Sequence, residues 1–219
     1  MSYVIRFILF LFQAKNITSI ITFIVICFFV FSPIPAKAQV SSHIFINSNL
    51  DVIAANDGFC TLPEAILSVN QNQSSGASSG ECAAGADEDI VEFGSIRGEI
   101  LLSSPLPIIE DEVTFRGPGW LDLVIGRAAN ANSEFRIFYV DSTKVTFQGL
   151  GIRAGRAASG AGIYNDSGTL IIRSSSALFD NVATSSGGGI YNEGGIVVIE
   201  RGTVIRNNAA GSSGGGIYS

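Results

Sequence analysis

Asp166 and Glu193 hold the same place in two copies of a short motif, Tyr164-Asn165-Asp166 and Tyr191-Asn192-Glu193, and Asp180 stands between them after Phe179. Carboxylates one structural repeat apart lie close enough to share a calcium ion or to divide the acid and base roles of glycoside chemistry. The competing reading makes them ordinary solvated corner residues, with Arg173 and Glu200 a surface ion pair worth roughly 0–1 kcal/mol. Calcium is the one cofactor these carboxylates suggest. The acidic runs Asp87-Glu88-Asp89 and Glu110-Asp111-Glu112 lack calcium-loop spacing and read as solvated strand entrances. His43, the single histidine, assembles no Ser-His-Asp system, and phosphate-cradling loops and zinc-ligand spacings are missing from the sequence. Asp166, Asp180 and Glu193 are therefore the candidates of an enzymatic reading, and no catalytic or metal site is assigned.

Two further residue sets carry covalent chemistry. Arg6 and Lys15 precede an uncharged apolar run (Ile20 to Phe31), followed by Pro33, Pro35 and Ala36-Lys37-Ala38. That is the layout of a secretory signal peptide spanning residues 1–38, with Ala36 and Ala38 fitting the narrow pockets of a signal peptidase and cleavage after Ala38. An uncleaved anchor is the alternative, but the run falls short of the roughly 20 residues a spanning helix needs. With Cys27 lost in the leader, Cys60 and Cys82 have one intramolecular pairing in an oxidising compartment. Their disulfide would close a polar loop that includes Asn70 to Gly80.

The 219 residues are 47% apolar and 15% charged, enough for a core. No acidic residue precedes Gln39, so residues 39–219, with 10 basic and 19 acidic side chains, carry a formal charge of −9. That balance argues against nucleic acid as a partner. From Val40 to about Gly155 the chain reads as short strands, at 42–46, 90–93, 99–102, 112–116, 121–125, 135–140 and 144–147, bounded by Gly, Pro, Asn or Ser. The single helical signal is Thr61 to Val69. Thr61 and Glu64 there have capping-box spacing, and Leu62, Ala65, Ile66 and Val69 share a face. Glu64 is read as a cap rather than a catalytic carboxylate.

The last third repeats. Gly162-Ile163-Tyr164-Asn165 returns as Gly189-Ile190-Tyr191-Asn192 and again as Gly216-Ile217-Tyr218, a period of 27 residues, and Asn181 recurs as Asn208. A strand-forming repeat of this length means a solenoid. One coil per repeat would place Ile163, Ile190 and Ile217 in a core ladder and pair the amides of Asn181 and Asn208, with Gly187 to Gly189 making a sharp corner. Three strands per coil are expected. The fold class is all-β: a parallel β-helix with one short N-terminal helix.

Asp57-Gly58-Phe59-Cys60-Thr61-Leu62-Pro63-Glu64-Ala65-Ile66 resembles the Cys-Ser-Leu-Arg-Glu-Ala signature near the start of many large exported bacterial β-helix proteins, although Pro63 stands where that family has Arg. Val145-Thr146-Phe147-Gln148-Gly149-Leu150-Gly151-Ile152-Arg153 is similar to the segments leading those proteins into their helix. The Gly-Gly-Gly-Ile-Tyr and Phe179-Asp180-Asn181 elements resemble the repeats of polymorphic outer-membrane proteins. Arg206 replaces Phe179 in the next copy, and Ala154 stands where Asn is expected. The resemblance implies a right-handed parallel β-helix of the pectin-lyase-like superfold, with a capping region and first coils at 39–155 and regular repeats at 156–219. It implies an exported protein at the bacterial outer membrane or cell surface, structural or adhesive, with glycans or other cell-surface proteins as partners and no stable membrane span in the mature chain. The alternative it raises is a polysaccharide lyase or hydrolase. Because Ser219 directly follows the third Gly-Gly-Gly-Ile-Tyr without a polar cap, the sequence is expected to be part of a longer, adhesin-like protein.

Overall fold

A strand of three to five residues makes too few hydrogen bonds to persist alone, so a run such as Thr169–Ile172 needs equal strands above and below it. The computed structural model, which describes residues 41–219, meets that need by coiling the chain so that equivalent strands stack in parallel. Sheet I has six strands: Ser41–Phe45, Glu88–Glu92, Val113–Arg116, Lys144–Gln148, Thr169–Ile172 and Ile196–Ile199. Sheet II stacks Phe138–Asp141, Ile163–Asp166, Ile190–Glu193 and Ile217–Tyr218. Sheet III holds Gly98–Leu102, Leu123–Arg127, Gly151–Arg153, Ala177–Phe179 and Val204–Arg206, and sheet IV holds Arg156–Ala157, Val182–Ala183 and Ala209–Ala210. The fold is a parallel β-helix. The leader, the Ala36 and Ala38 cleavage positions and Cys27 lie outside the described residues, among which no helix is long and apolar enough to cross a membrane.

Each regular coil contains four strands, not the three expected. The extra one is the two-residue strand of sheet IV, built from pairs such as Val182-Ala183 that are too short to leave a pattern in the sequence. The 27-residue register holds in all four sheets, with Ile163 beside Ile190, Leu170 beside Val197, Leu178 beside Ile205 and Val182 beside Ala209. One coil earlier the spacing is 25 residues (Phe138 to Ile163) and then 26 (Ile152 to Leu178). The strands keep their length and the turns absorb the difference.

Inward side chains form one core. Phe115 and Phe147 stack with centroids 5.2 Å apart, Phe138 tilts onto Phe147 at 4.6 Å, and Ile163 and Ile190 are fully buried above them. Ile217, on the last coil, is partly exposed. The glycines between Gly187 and Gly189 divide their work. Gly187 takes a left-handed backbone (φ +66°), whereas Gly189 is excluded from having a side chain because a Cβ would lie 2.5 Å from the carbonyl oxygen of Gly216 in the next coil.

Two asparagine ladders tie the coils. Asn181 donates to the carbonyl of Ile152 (3.1 Å) and to Asn208 Oδ1 (2.9 Å), and it accepts the Gly155 N–H (2.9 Å). Gly155, rather than Ala154, therefore lies beneath Asn181, and Ala154 aligns with Asp180. The second ladder follows the repeated Gly-Ile-Tyr-Asn motif and runs from Asn165 to Asn192 (2.6 Å) and on to Ser219 Oγ (2.9 Å).

Between the first two strands of sheet I the chain inserts residues 46–87, which contain the helix α1, Leu62–Gln71. Its apolar residues Leu62, Ala65, Ile66 and Val69 join the same core as Ile44 and Val91. Glu64 is buried and structural, accepting the Thr61 N–H (3.0 Å) and the Ala54 N–H (2.7 Å). Cys60 and Cys82 form a disulfide. The polar loop between them is also held by Glu81, whose carboxylate takes the Gly58 N–H (2.8 Å) and the Ser75 hydroxyl (2.8 Å). The acidic run at 87–89 is not simply a solvated entrance. Asp89 is buried, bonded by the Ser42 hydroxyl and the Ala86 N–H, and desolvation holds its carboxyl above the usual range.

Replacing Asn181 by Ala strands the Gly155 N–H and the Ile152 carbonyl in the core and is expected to lower stability by roughly 2–4 kcal/mol in urea unfolding. Cys60 and Cys82 should resist alkylation in the native protein, and reduction should cost about 3 kcal/mol. Two reactive thiols before reduction would contradict the bridge.

Candidate functional site

The parallel register of sheet II places each outward residue directly over its equivalent, 25 residues on at the first step and 27 at the next two. Tyr139, Tyr164, Tyr191 and Tyr218 therefore form one column, with each successive pair of ring centroids 5.1 Å apart and interplanar angles of 16°, 23° and 11°. The rings cannot drift apart, because the strands beneath them are hydrogen-bonded at the ~4.8 Å sheet spacing. Tyr164 and Tyr191 are partly buried, and Tyr218 is 39% exposed. Arg136 lies across the column, its guanidinium carbon 4.3 Å from the Tyr164 ring centre and 5.2 Å from that of Tyr139. Its buried Nη1 finds no oxygen acceptor, leaving the electron-rich ring faces as its partners. Desolvation lowers its pKa, opposed by the two tyrosines, and it remains a cation at neutral pH.

The candidate carboxylates are distributed differently from the enzymatic reading. Asp166 and Glu193 are neighbours in register, at strand ends rather than in turns, with Asp141 in the same row. Each is engaged by a tyrosine of the coil below: the Tyr139 hydroxyl donates to Asp166 Oδ2 (2.8 Å) and the Tyr164 hydroxyl to Glu193 Oε2. These carboxylates orient the aromatic column. Asp180 is not with them, because it occupies the corner between sheets III and IV, in a cleft lined by Arg127, Arg153 and Arg156. Among the described residues no group of three or more His, Cys, Asp or Glu side chains is arranged to hold a metal ion. Arg173 and Glu200 form the expected cross-coil pair at 3.4 Å, both well exposed. His43 meets Glu92 at 3.6 Å and stacks on Phe45.

Three of the four tyrosines stand out in the sequence because they share the 27-residue repeat. Tyr139 escapes notice because its coil is two residues shorter, so Phe138-Tyr139-Val140-Asp141 falls out of phase with that repeat. Arg136 and the arginine cleft leave no motif, since they converge only through register. Comparison with known protein families, with curated proteins and with solved structures gave no match.

The column has a measurable signature. The hydrogen bond to Glu193, followed by desolvation, pushes the Tyr164 phenol well above its ordinary range. Tyr139 is also raised, first by desolvation and then by Asp166. A raised phenol favours the folded state while protonated. This contribution is complete below the unfolded value of about 10 and is lost as pH rises through the folded one. Ultraviolet titration should show tyrosines ionising late, together with alkaline loss of stability. Glu193→Gln should bring one of them back toward about pH 10.

Proposed function

We propose that the protein is an exported β-helix that displays a repetitive adhesive surface, with glycans or other cell-surface proteins as its partners. The observation that carries this reading is the tyrosine column, in which one amphipathic side chain recurs four times on one face at 5.1 Å intervals. The rings cover one another's faces, so the column presents a row of ring edges and hydroxyls whose orientation is held by the stack and by carboxylates, and little freedom is lost on contact. Many weak contacts at fixed spacing add through multivalency, and the stacked coils keep that spacing rigid. The resemblance to exported and outer-membrane β-helix proteins supports the same surface role and a secreted or cell-surface location.

A second reading, a polysaccharide lyase or hydrolase, is favoured by one observation. Asp180 shares a cleft of about 490 Å³ with Arg127, Arg153 and Arg156, a carboxylate that could move a proton beside guanidinium groups that could hold acidic sugars. The two carboxylates that stand together, Asp166 and Glu193, are engaged by tyrosine hydroxyls, and this favours display.

The test uses beads coated with the protein. Adhesion to cell surfaces and glycan-coated surfaces should fall at least about tenfold for the Tyr191→Ala/Tyr218→Ala variant, because avidity compounds the loss of each contact. Undiminished adhesion would refute display through the column. Incubation with acidic polysaccharides should release no unsaturated or reducing-end products, and products that disappear in Asp180→Asn would establish the enzymatic reading instead.

A further inference from the structure

A second surface feature is built from residues that neither the core nor the tyrosine column uses. Where sheet III turns into sheet IV, Arg127 and Arg153 end adjacent strands, Arg156 opens the next, Asp180 sits one coil above Ala154, and Glu134 closes the other side of the cleft. Three of the ten basic residues between 39 and 219 meet here, in a stretch whose formal charge is −9.

Two of the three arginines are held in place within the protein. Arg127 donates from Nε to the Ser133 carbonyl (2.9 Å) and from Nη2 to the Ala131 carbonyl (3.1 Å), leaving other N–H groups unused. Arg153 lies across Gly126 of the neighbouring strand, where a Cβ would come within 2.9 Å of its Cγ, and its Nη2 is fixed by Glu99 (2.6 Å). The side chains of Arg156, Glu134 and Asp180 are exposed and make no hydrogen bond or ion pair with other described residues. The floor is kept open by Ala154. The same corner holds Asp180 and Asn207 in the coils above, and all three residues are left-handed (φ 58°, 56° and 54°). Asp and Asn accept that conformation readily, whereas Ala gains no side-chain hydrogen bond from it.

The charge balance selects the ligand. Glu99 already pairs with Arg153, and Glu134 and Asp180 line the cleft beside Arg127 and Arg156, so a phosphate dianion meets as much repulsion as attraction, and a tetrahedral sulfate ester matches the planar guanidinium groups less well than a planar carboxylate does. A single carboxylate beside several hydroxyls fits better, because guanidinium N–H groups take the carboxylate and Glu134 and Asp180 accept the hydroxyls. A neighbouring cleft of about 410 Å³ shares Glu134 and adds Pro105, Leu106 and Tyr139, a surface for the apolar faces of further rings. We propose that the Arg127–Arg153–Arg156 cleft binds a uronic-acid residue of an acidic glycan. The proposal extends the glycan-binding reading above to a second site, apart from the tyrosine column, and names its ligand class.

The test is calorimetric titration of the purified protein with a short oligogalacturonate. Its methyl ester, a sulfated oligosaccharide and inorganic phosphate serve as comparison ligands. The oligogalacturonate should bind saturably, and the ester should bind at least about tenfold more weakly. Arg156→Ala, which removes an exposed side chain with no internal partner, should weaken binding about tenfold while leaving the melting temperature unchanged. Ala154→Asn suits the left-handed corner, so it should preserve the fold while filling the floor and weakening binding comparably. Tyr191→Ala should have no effect. Absence of oligogalacturonate binding, equal binding of the ester, tighter binding of sulfate or phosphate, or indifference to Arg156→Ala and Ala154→Asn would each overturn the proposal. If wild-type beads still adhere through the column while oligogalacturonate fails to bind, the uronate site falls and surface display stands. If adhesion is absent while oligogalacturonate still binds, display falls and the uronate site stands.

Discussion

The vertical stacking of equivalent residues at the strand-to-strand spacing is the constraint on which the rest of this molecule depends. Once Ile163 is hydrogen-bonded beside Ile190, and Ile190 beside Ile217, every other residue of those coils is assigned a fixed neighbour in the next coil. The same constraint imposes costs and supplies ligatures. A Cβ at Gly189 would press on the next coil's carbonyl, and a buried Asn at 181 must find amide partners above and below. Asn165 shows where a ladder stops: its Oδ1 has no donor, because the residue beneath it is Val140. Repetition thus stabilises the interior only where both neighbours match.

On the surface the constraint creates periodic chemistry without a dedicated motif. Four tyrosines become one aromatic column because their strands cannot be elsewhere, and the acidic row of Asp141, Asp166 and Glu193 becomes its hydrogen-bonding rail. On another corner, three arginines separated in sequence converge because strand ends stack. Both features are consequences of register, which sets an aromatic, repetitive surface on sheet II and a polar, single cleft where sheet III turns into sheet IV.

Much of the architecture is legible in the sequence because identical residues recur at identical spacing. The parallel coils, the amide pairing of Asn181 with Asn208, the capped helix after Thr61 and the disulfide all have local signals. The two-residue strands of sheet IV do not, since Val182-Ala183 carries no alternation. Tyr139 is hidden by a 25-residue coil, and the burial of Asp89 is hidden because a charged run gives no hint that one member turns inward beneath Ser42. The candidate carboxylates are marked by position, but their partners are not. The distance from a tyrosine hydroxyl to the carboxylate of the next coil is a property of the stack, not of either motif.

Register, rather than local strand propensity, determines this fold, and deletion of a coil tests that directly. A variant lacking residues 163–189 removes one full period and joins Gly162 to Ile190, preserving every ladder in the coils that remain. A second variant keeps every coil but inserts one alanine between Tyr164 and Asn165, inside the strand Ile163–Asp166, where no turn absorbs it and the residues beyond the insertion change faces relative to their neighbours in the adjoining coils. Thermal unfolding followed by circular dichroism should show the first as a cooperative β protein with a lowered midpoint, and the second as a protein without a cooperative transition in its upper coils. Equal folding of both variants would contradict the central role of register.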